Sequence, residues 1–400
     1  MSLQTLATKG FWSTVLPLAA MLLCALLGVY GLGHQNDLLT TQADIVSLHF
    51  LASLARVGIS PYNGEAVARL SAGLPFPVEE LFYPPSFLAL LFPLNALDET
   101  TLRVFTALAQ IACTAWLVFY LARRNIPSAS ERLLTIYNPL LYYALFQTVR
   151  FGQISCVVVA LAVVFWHQRT TSKSPWWKAL LLCGITMKPS IALGLLCFLM
   201  CEGRLGLLVR AGLLHVLCLL TVSLVSGLNP LSLVQEWFAA LAAYRDYAVN
   251  SPASPYVYGI STGLERMFGI SLSLDLLALP AAYLLWRARE AFSQSEILAL
   301  LLAAAFVFGT PHAYDFYLLA PALLCLVDIP GKRVPAFTFA VLMILPQRVM
   351  AELGFVSFDS VLRVVVPMVL SAMLVSTRLF FLERSLDRRG VLSKTPWTAA

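Results

Sequence analysis

Four hundred residues of which 59% are hydrophobic and only 12% charged, with a mean hydropathy of +0.80, cannot form a water-soluble globule, where about a quarter of residues are charged. The net charge of +6 is spread over many short loops, which suits membrane orientation and anionic headgroups and gives no sign of nucleic acid. No polar stretch is long enough to build a second core, so a fused nucleotide-binding domain is excluded.

The chain therefore reads as an all-α polytopic membrane protein, a single integral domain over 1–400. Cutting the apolar runs at charges and at Pro/Gly punctuation predicts about twelve spans, each needing about 17–25 residues unless tilted or broken. The first follows Lys9 and runs from about Trp12 to Gly33; it is too long for a signal-peptide core, lacks a clear cleavage site, and is predicted to be retained. A polar loop, about 34–83, comes next. Spans are then predicted at Pro84–Leu97, Leu102–Leu121, Leu133–Gln147, Gln153–His167, Trp177–Met200 and Leu205–Ser226. A second polar interruption, about 227–269, carries Trp237, Tyr244, Arg245, Asp246, Tyr247, Pro252, Pro255, Tyr256 and Tyr258 and is the natural partner of the first. The remaining spans lie near Leu272–Trp286, Glu296–Phe308, Tyr314–Val327, Pro335–Met350 and Val361–Leu382.

Arg384, Arg388, Arg389 and Lys394 in the tail, with Arg287/Arg289, Lys332/Arg333 and Arg204/Arg210, mark the cytoplasmic side. Both long loops and the His312 turn then fall outside. Arg123, Arg124, Arg132, Lys173 and Lys178 fall outside as well, against the rule, so some middle spans are expected to be half-helices. The eight cysteines sit mostly in apolar runs without CxxC or ligand spacing, so neither disulfides nor zinc are expected, and no His pattern supports a metal.

Chemistry-bearing residues collect in the loops and at the breaks. A carboxylate at the membrane surface serves as general base when burial tunes its proton affinity and a hydroxyl comes within reach. Asp44 has that position, at the start of a segment with apolar residues at helical spacing, as for a helix lying along the interface; the same position suits a helix cap, with Thr40 or Thr41 as rivals. Asp37 is the second carboxylate. Ser60-Pro61-Tyr62-Asn63 ends the helix, and Tyr83-Pro84-Pro85 opens the next span, either as a first-turn proline signal with an aromatic-belt Tyr83 or as a binding wall. Asn138-Pro139 and Gly152-Gln153 bracket a short apolar segment with Arg150 close by, and Gln153 either joins helices or partners exposed backbone. Lys188-Pro189 puts an ammonium deep in an apolar run, where it must pair, snorkel or face a polar cavity; a lipid phosphate and a structural ion pair are the two partners. Thr310-Pro311-His312-Ala313-Tyr314-Asp315 breaks the chain between spans, with Asp315 as helix cap or as orienter of His312.

In their order, Asp44, Gly58-Ile59-Ser60-Pro61-Tyr62, Phe82-Tyr83-Pro84-Pro85, Asn138-Pro139, Gly152-Gln153, Lys188-Pro189 and Thr310-Pro311-His312 make the chain resemble the family 87 polyprenol-phosphate-dependent glycosyltransferases, the GT-C group that holds bacterial α-mannosyltransferases. The resemblance runs from Asp44 to about Pro321. It implies a bundle of about twelve helices with surface helices in the first outer loop, in the bacterial plasma membrane with the site on the periplasmic face. It further implies Asp44 as catalytic base and Lys188 and His312 around the donor phosphate; the mechanism read from these residues adds Arg150 at the phosphate and Tyr62, Tyr83, Gln153, Asp315 and Tyr256 at the substrates. The partners implied are a polyprenyl-phosphate sugar donor, a glycolipid or glycan acceptor and membrane lipids, with no cofactor. Asp44 departs from the pattern in lacking a second adjacent acid. The rival readings are a transporter or flippase of a lipid-linked sugar, which would move lipid without making a glycoside, and a membrane scaffold.

Overall fold

The computed structural model describes residues 42–74, 78–124, 139–171, 174–244, 247, 250–251 and 257–327, with short pieces between 365 and 376. The predicted first span, Asp37, Asn138, Tyr256 and the span at Pro335–Met350 lie outside the described residues.

Helix α1 (Ala43–Arg56) begins after Gln42, whose backbone is left-handed (φ 62°) and whose N–H donates to the Arg150 carbonyl. It is more than a surface helix. Ile45, Val46, Leu48, Leu51, Ala52, Leu54 and Ala55 are all buried, because later elements close over it. The left-handed Gly58 (φ 80°) ends it, and Asn63 caps α2 (Gly64–Ser71) by accepting from Ala66 N–H at 3.0 Å. The Leu81 N–H bonds back to the Pro61 carbonyl at 2.9 Å, folding the loop onto itself.

Pro85 starts a helical turn, as its fixed φ favours. The expected continuous span does not follow. A 3-10 turn (Pro85–Phe87), α3 (Leu88–Leu91) and a second 3-10 stretch (Phe92–Ala96) make a broken rod, and at about 1.5–2 Å per residue it is shorter than the hydrocarbon core. Asp98 then caps α4 (Glu99–Arg124), accepting from Thr101 N–H at 2.9 Å.

Two further breaks carry the site. The first separates α5 (Pro139–Phe151) from α6 (Ser155–Gln168): Gly152 turns left-handed (φ 75°), and Gly152 and Gln153 N–H both return to the Thr148 carbonyl. The second corrects the expected single span Trp177–Met200. The chain forms α7 (Pro175–Thr186) and α8 (Pro189–Cys201) with Lys188 extended between them, since Pro189 offers no N–H and pushes its predecessor out of helical geometry.

Helix α9 (Leu205–Ser226) is, among the described residues, the one helix both long and apolar enough to cross a membrane, and Leu213, Leu217, Leu220 and Leu224 on it are exposed. Asn229 caps α10 (Pro230–Ala243), and α11 (Ile260–Phe268) follows, so the second polar interruption is itself partly helical. Next come α12 (Ala278–Arg287) and α13 (Gln294–Phe308), the latter opened by a Ser293/Glu296 capping box. The expected helix at Tyr314–Val327 is instead a 3-10 segment (Ala313–Leu318) followed by α14 (Ala320–Val327).

Two apolar clusters result. One joins α6, α8, α13, the 313–318 segment and α14; the other joins α1, α2, the broken rod, α9 and α10, and Ile154 touches both. The Gly152 break lies at this seam. A Cβ at Gly152 would stand 2.9 Å from Ile45 Cβ and 3.0 Å from Ile45 N, at a φ that L residues resist. Gly152→Ala is expected to cost about 1–3 kcal/mol, read as a lowered Tm in detergent; a wild-type Tm would mean the approach of α1 can relax.

Candidate active site

Asp44 stands in the first turn of α1 but does not cap it: the helix N-terminus has no side-chain cap, and Asp44 Oδ2 accepts instead from Gln153 Nε2. The capping reading is thereby set aside. Gln153 is held on every side. Its Oε1 accepts from the Tyr83 hydroxyl at 3.2 Å, and its backbone carbonyl accepts from Gln110 Nε2 at 2.8 Å. Tyr83 is fixed in turn, its carbonyl accepting from the buried Tyr62 hydroxyl at 2.8 Å. Tyr62 thus supports the wall from behind, while Gln153 reaches the carboxylate and Tyr83 holds Gln153.

Facing them is the Lys188 turn. Its ammonium meets Asp315 Oδ1 at 2.5 Å and Ser155 Oγ at 2.8 Å, Ser155 itself donates to Asp315 Oδ1 at 2.7 Å, and the nitrogen lies 4.9 Å from the Tyr314 ring centroid. Asp315 Oδ2 also accepts from His312 N–H at 3.0 Å, as part of a capping box at the start of the 313–318 segment. The His312 ring stacks flat on Tyr314 at 5.0 Å, and its backbone is bridged to Val257. Arg150 stands one ring further out, 5.1 Å over Phe151, whose ring meets Tyr314 at 6.1 Å. Tyr256 lies outside the described residues.

The electrostatics join the two faces. Burial raises the Asp44 carboxyl from 3.8 to about 6, opposed by the Gln153 hydrogen bond and then by the charge of Lys188. Glu79, which the sequence reading missed, is raised from 4.5 to about 7 by burial, then by the charges of Glu80 and Asp44. It thus feels the charge of Asp44, from which it is distant along the chain. One Glu79 oxygen accepts from Asn250 Nδ2 at 3.4 Å. Burial, then the charges of Asp315, Glu79 and Asp44, push the Tyr244 phenol up.

The second loop packs against the first. Trp237 Nε1 donates to the Phe82 carbonyl at 3.0 Å, Tyr244 and Tyr247 set edges against the Phe82 ring, and Tyr247 and Ser60 hydroxyls hold Glu80 and Glu236. Ser155 and Tyr314 were missed as site residues as well. Both sit beside motifs read from the sequence, two residues after Gln153 and two after His312, and that adjacency was the available signal.

This constellation falls within a recognised family. The family model for glycosyltransferase family 87 matches residues 81–321, more than half of the chain. The chain belongs to glycosyltransferase family 87. It is therefore an enzyme, a glycosyltransferase with a sugar donor and an acceptor as substrates, in a helical membrane protein. The transporter and scaffold readings fall with that. No curated protein and no solved structure matches the chain. The match takes in Tyr83, Gln153, Ser155, Lys188, His312 and Asp315 but begins after Asp44 and Glu79.

Since the folded-state value of Asp44 lies above the ordinary one, protonation of this group stabilises the fold below about pH 4, and that contribution is lost as pH rises through about 6. Gln153→Leu removes a donor from the charged form and is expected to move the Asp44 carboxyl higher still. Infrared difference spectra of the protonated C=O stretch, assigned with Asp44→Asn, would read the shift; an unchanged midpoint would detach Gln153 from Asp44 in solution.

Proposed function

We propose that this glycosyltransferase moves a hexose, mannose in the first instance, from a polyprenyl-phosphate donor to a lipid-linked or glycan acceptor at the outer face of the bacterial plasma membrane, inverting the anomeric centre with Asp44 as general base. The observation that carries the reading is a carboxylate whose proton affinity is raised to about 6, held through one oxygen by Gln153 and within the field of the Lys188 ammonium. Among the described residues the other oxygen of Asp44 has no hydrogen-bond partner, so it is the one to meet an incoming hydroxyl.

The acceptor oxygen attacks the anomeric carbon opposite the phosphate and forms the glycosidic bond. The bond from that carbon to the phosphate oxygen breaks, and its electron pair leaves with polyprenyl phosphate. The acceptor proton passes to Asp44 and then to water. Charge grows on the leaving phosphate, so catalysis needs cations there. Two of the three Lys188 protons are engaged by Asp315 and Ser155, which hold the ammonium in place and leave the third for a phosphate oxygen. His312 on the Tyr314 ring, and Arg150 beyond it over Phe151, complete the phosphate side. On the acid side Tyr83, Tyr244 and Trp237 are the aromatics assigned to line the sugar site.

Lipid-phosphate donors suit a site read as lying on the outer face, where nucleotide sugars are not made, and the exposed apolar flank of α9 suits an isoprenoid tail. A general base with a value near 6 predicts kcat/KM rising through about pH 6 to a plateau.

Asp44→Asn is expected to lower transfer from radiolabelled polyprenyl-phosphate mannose by about 10²–10⁴-fold while donor binding is kept; retained turnover would remove Asp44 from the mechanism. Lys188→Ala leaves Asp315 buried without its cation, a change that by itself destabilises. The informative variant is therefore Lys188→Ala with Asp315→Asn, for which the donor KM should rise well above that of the acceptor; equal effects on both would assign the pair to the bundle alone.

A further inference from the structure

His215 is a polar side chain on the membrane-crossing helix that the mechanism above does not use. It lies partly buried at the junction of α9, the end of α7 and the start of the broken rod. Both ring nitrogens are engaged: Nδ1 stands 2.6 Å from Ser86 Oγ and Nε2 2.6 Å from Thr186 Oγ1. The tautomer follows from the partners. Thr186 sends its hydroxyl proton to the carbonyls of Leu182 and Cys183, at 3.0 and 2.9 Å, so its oxygen is left to accept. Nε2 therefore carries the proton, and Nδ1 keeps a lone pair that accepts from Ser86.

The two residues so held flank the active site. Ser86 follows Pro85 three places after Tyr83, whose hydroxyl fixes Gln153. Thr186 precedes Lys188 by two, at the point where α7 stops. Ser86 also lies 3.8 Å from the sulfur of Met187, the residue between Thr186 and Lys188. One imidazole thus spans the wall that orients the carboxylate and the turn that presents the ammonium. Ordinary apolar packing would bring these segments together without fixing their distance. Two short directional bonds to one rigid ring do fix it.

We propose that His215 is a positioning residue for the donor phosphate site, setting the Lys188 turn at its distance from the Tyr83–Gln153–Asp44 side and tying both to the helix that faces lipid. The proposal rests on the functional reading above, in which Lys188 meets the donor. His215 touches no substrate. It acts through Lys188 and Tyr83, so its loss should be felt in donor use before acceptor use.

The test uses the full chain in nanodiscs with polyprenyl-phosphate mannose as donor. His215→Phe keeps the ring volume and removes both bonds, and is expected to raise the donor KM by about tenfold with the acceptor KM within about twofold. His215→Gln, which offers an amide donor and acceptor on one side chain, should recover most of that loss. Leu219→Ala, one turn along α9 and packed in the same apolar cluster, lowers stability without touching the latch and should leave the donor KM unchanged. A wild-type donor KM in His215→Phe, failure of Gln to recover any of it, or the same split in Leu219→Ala would each overturn the proposal. Absence of wild-type transfer would instead sink the functional reading. The latch is then read by ¹⁵N-imidazole NMR, assigned by difference from His215→Gln: a single neutral form with the proton on Nε2 supports it, and a proton on Nδ1 or an exchanging mixture overturns it.

Discussion

The site depends on how closely two backbones approach. Gly152 lies against Ile45 at a separation that admits no side chain, and this contact brings the start of α1 to the break between α5 and α6. Everything on the acid side follows from it: Gln153 is the next residue, its amide has one donor for Asp44 and one acceptor for Tyr83, and Gln110 fixes the backbone behind it. A side chain held at its amide and its carbonyl cannot rotate away when the carboxylate charges. The geometry is therefore made before any substrate arrives, which is where the energetic advantage of a fixed polar site over water originates.

Around that fixed point the charges nearly cancel. Asp44, Glu79 and Asp315 face Lys188, with Arg150 and His312 at the edge, in surroundings that penalise an excess of either sign. Two of the acids avoid the conflict by holding protons close to neutrality, at about 6 for Asp44 and about 7 for Glu79. The third is paired outright. The space thus carries less negative charge than three fully ionised carboxylates would give it.

Much of this was legible in the chain because prolines and glycines act locally. Pro85, Pro189 and Gly152 ended or began helices for reasons contained in one or two residues, and the series of turn motifs pointed to the family later matched over 81–321. Helix continuity was less legible. Hydropathy predicts one span through Lys188, yet the proline after it decides the local backbone, and the Ser155 and Asp315 that receive the ammonium come from positions 33 and 127 residues away. Glu79 and His215 were missed for the same reason: one neighbours Asp44, the other Ser86 and Thr186, only after the chain has folded. Asp44 itself read equally well as a cap, and only the position of Gln153 decides otherwise.

The bare outer side of α9, with Leu213, Leu217, Leu220 and Leu224 uncovered, bears on traffic. Under the lipid-linked donor proposed above, the substrate would reach such a flank by gliding within the leaflet, in two dimensions, and its spent carrier would depart the same way. Turnover in that regime follows the surface density and fluidity of the surrounding lipid, so bulk concentration in the assay tube is the wrong axis on which to plot its saturation.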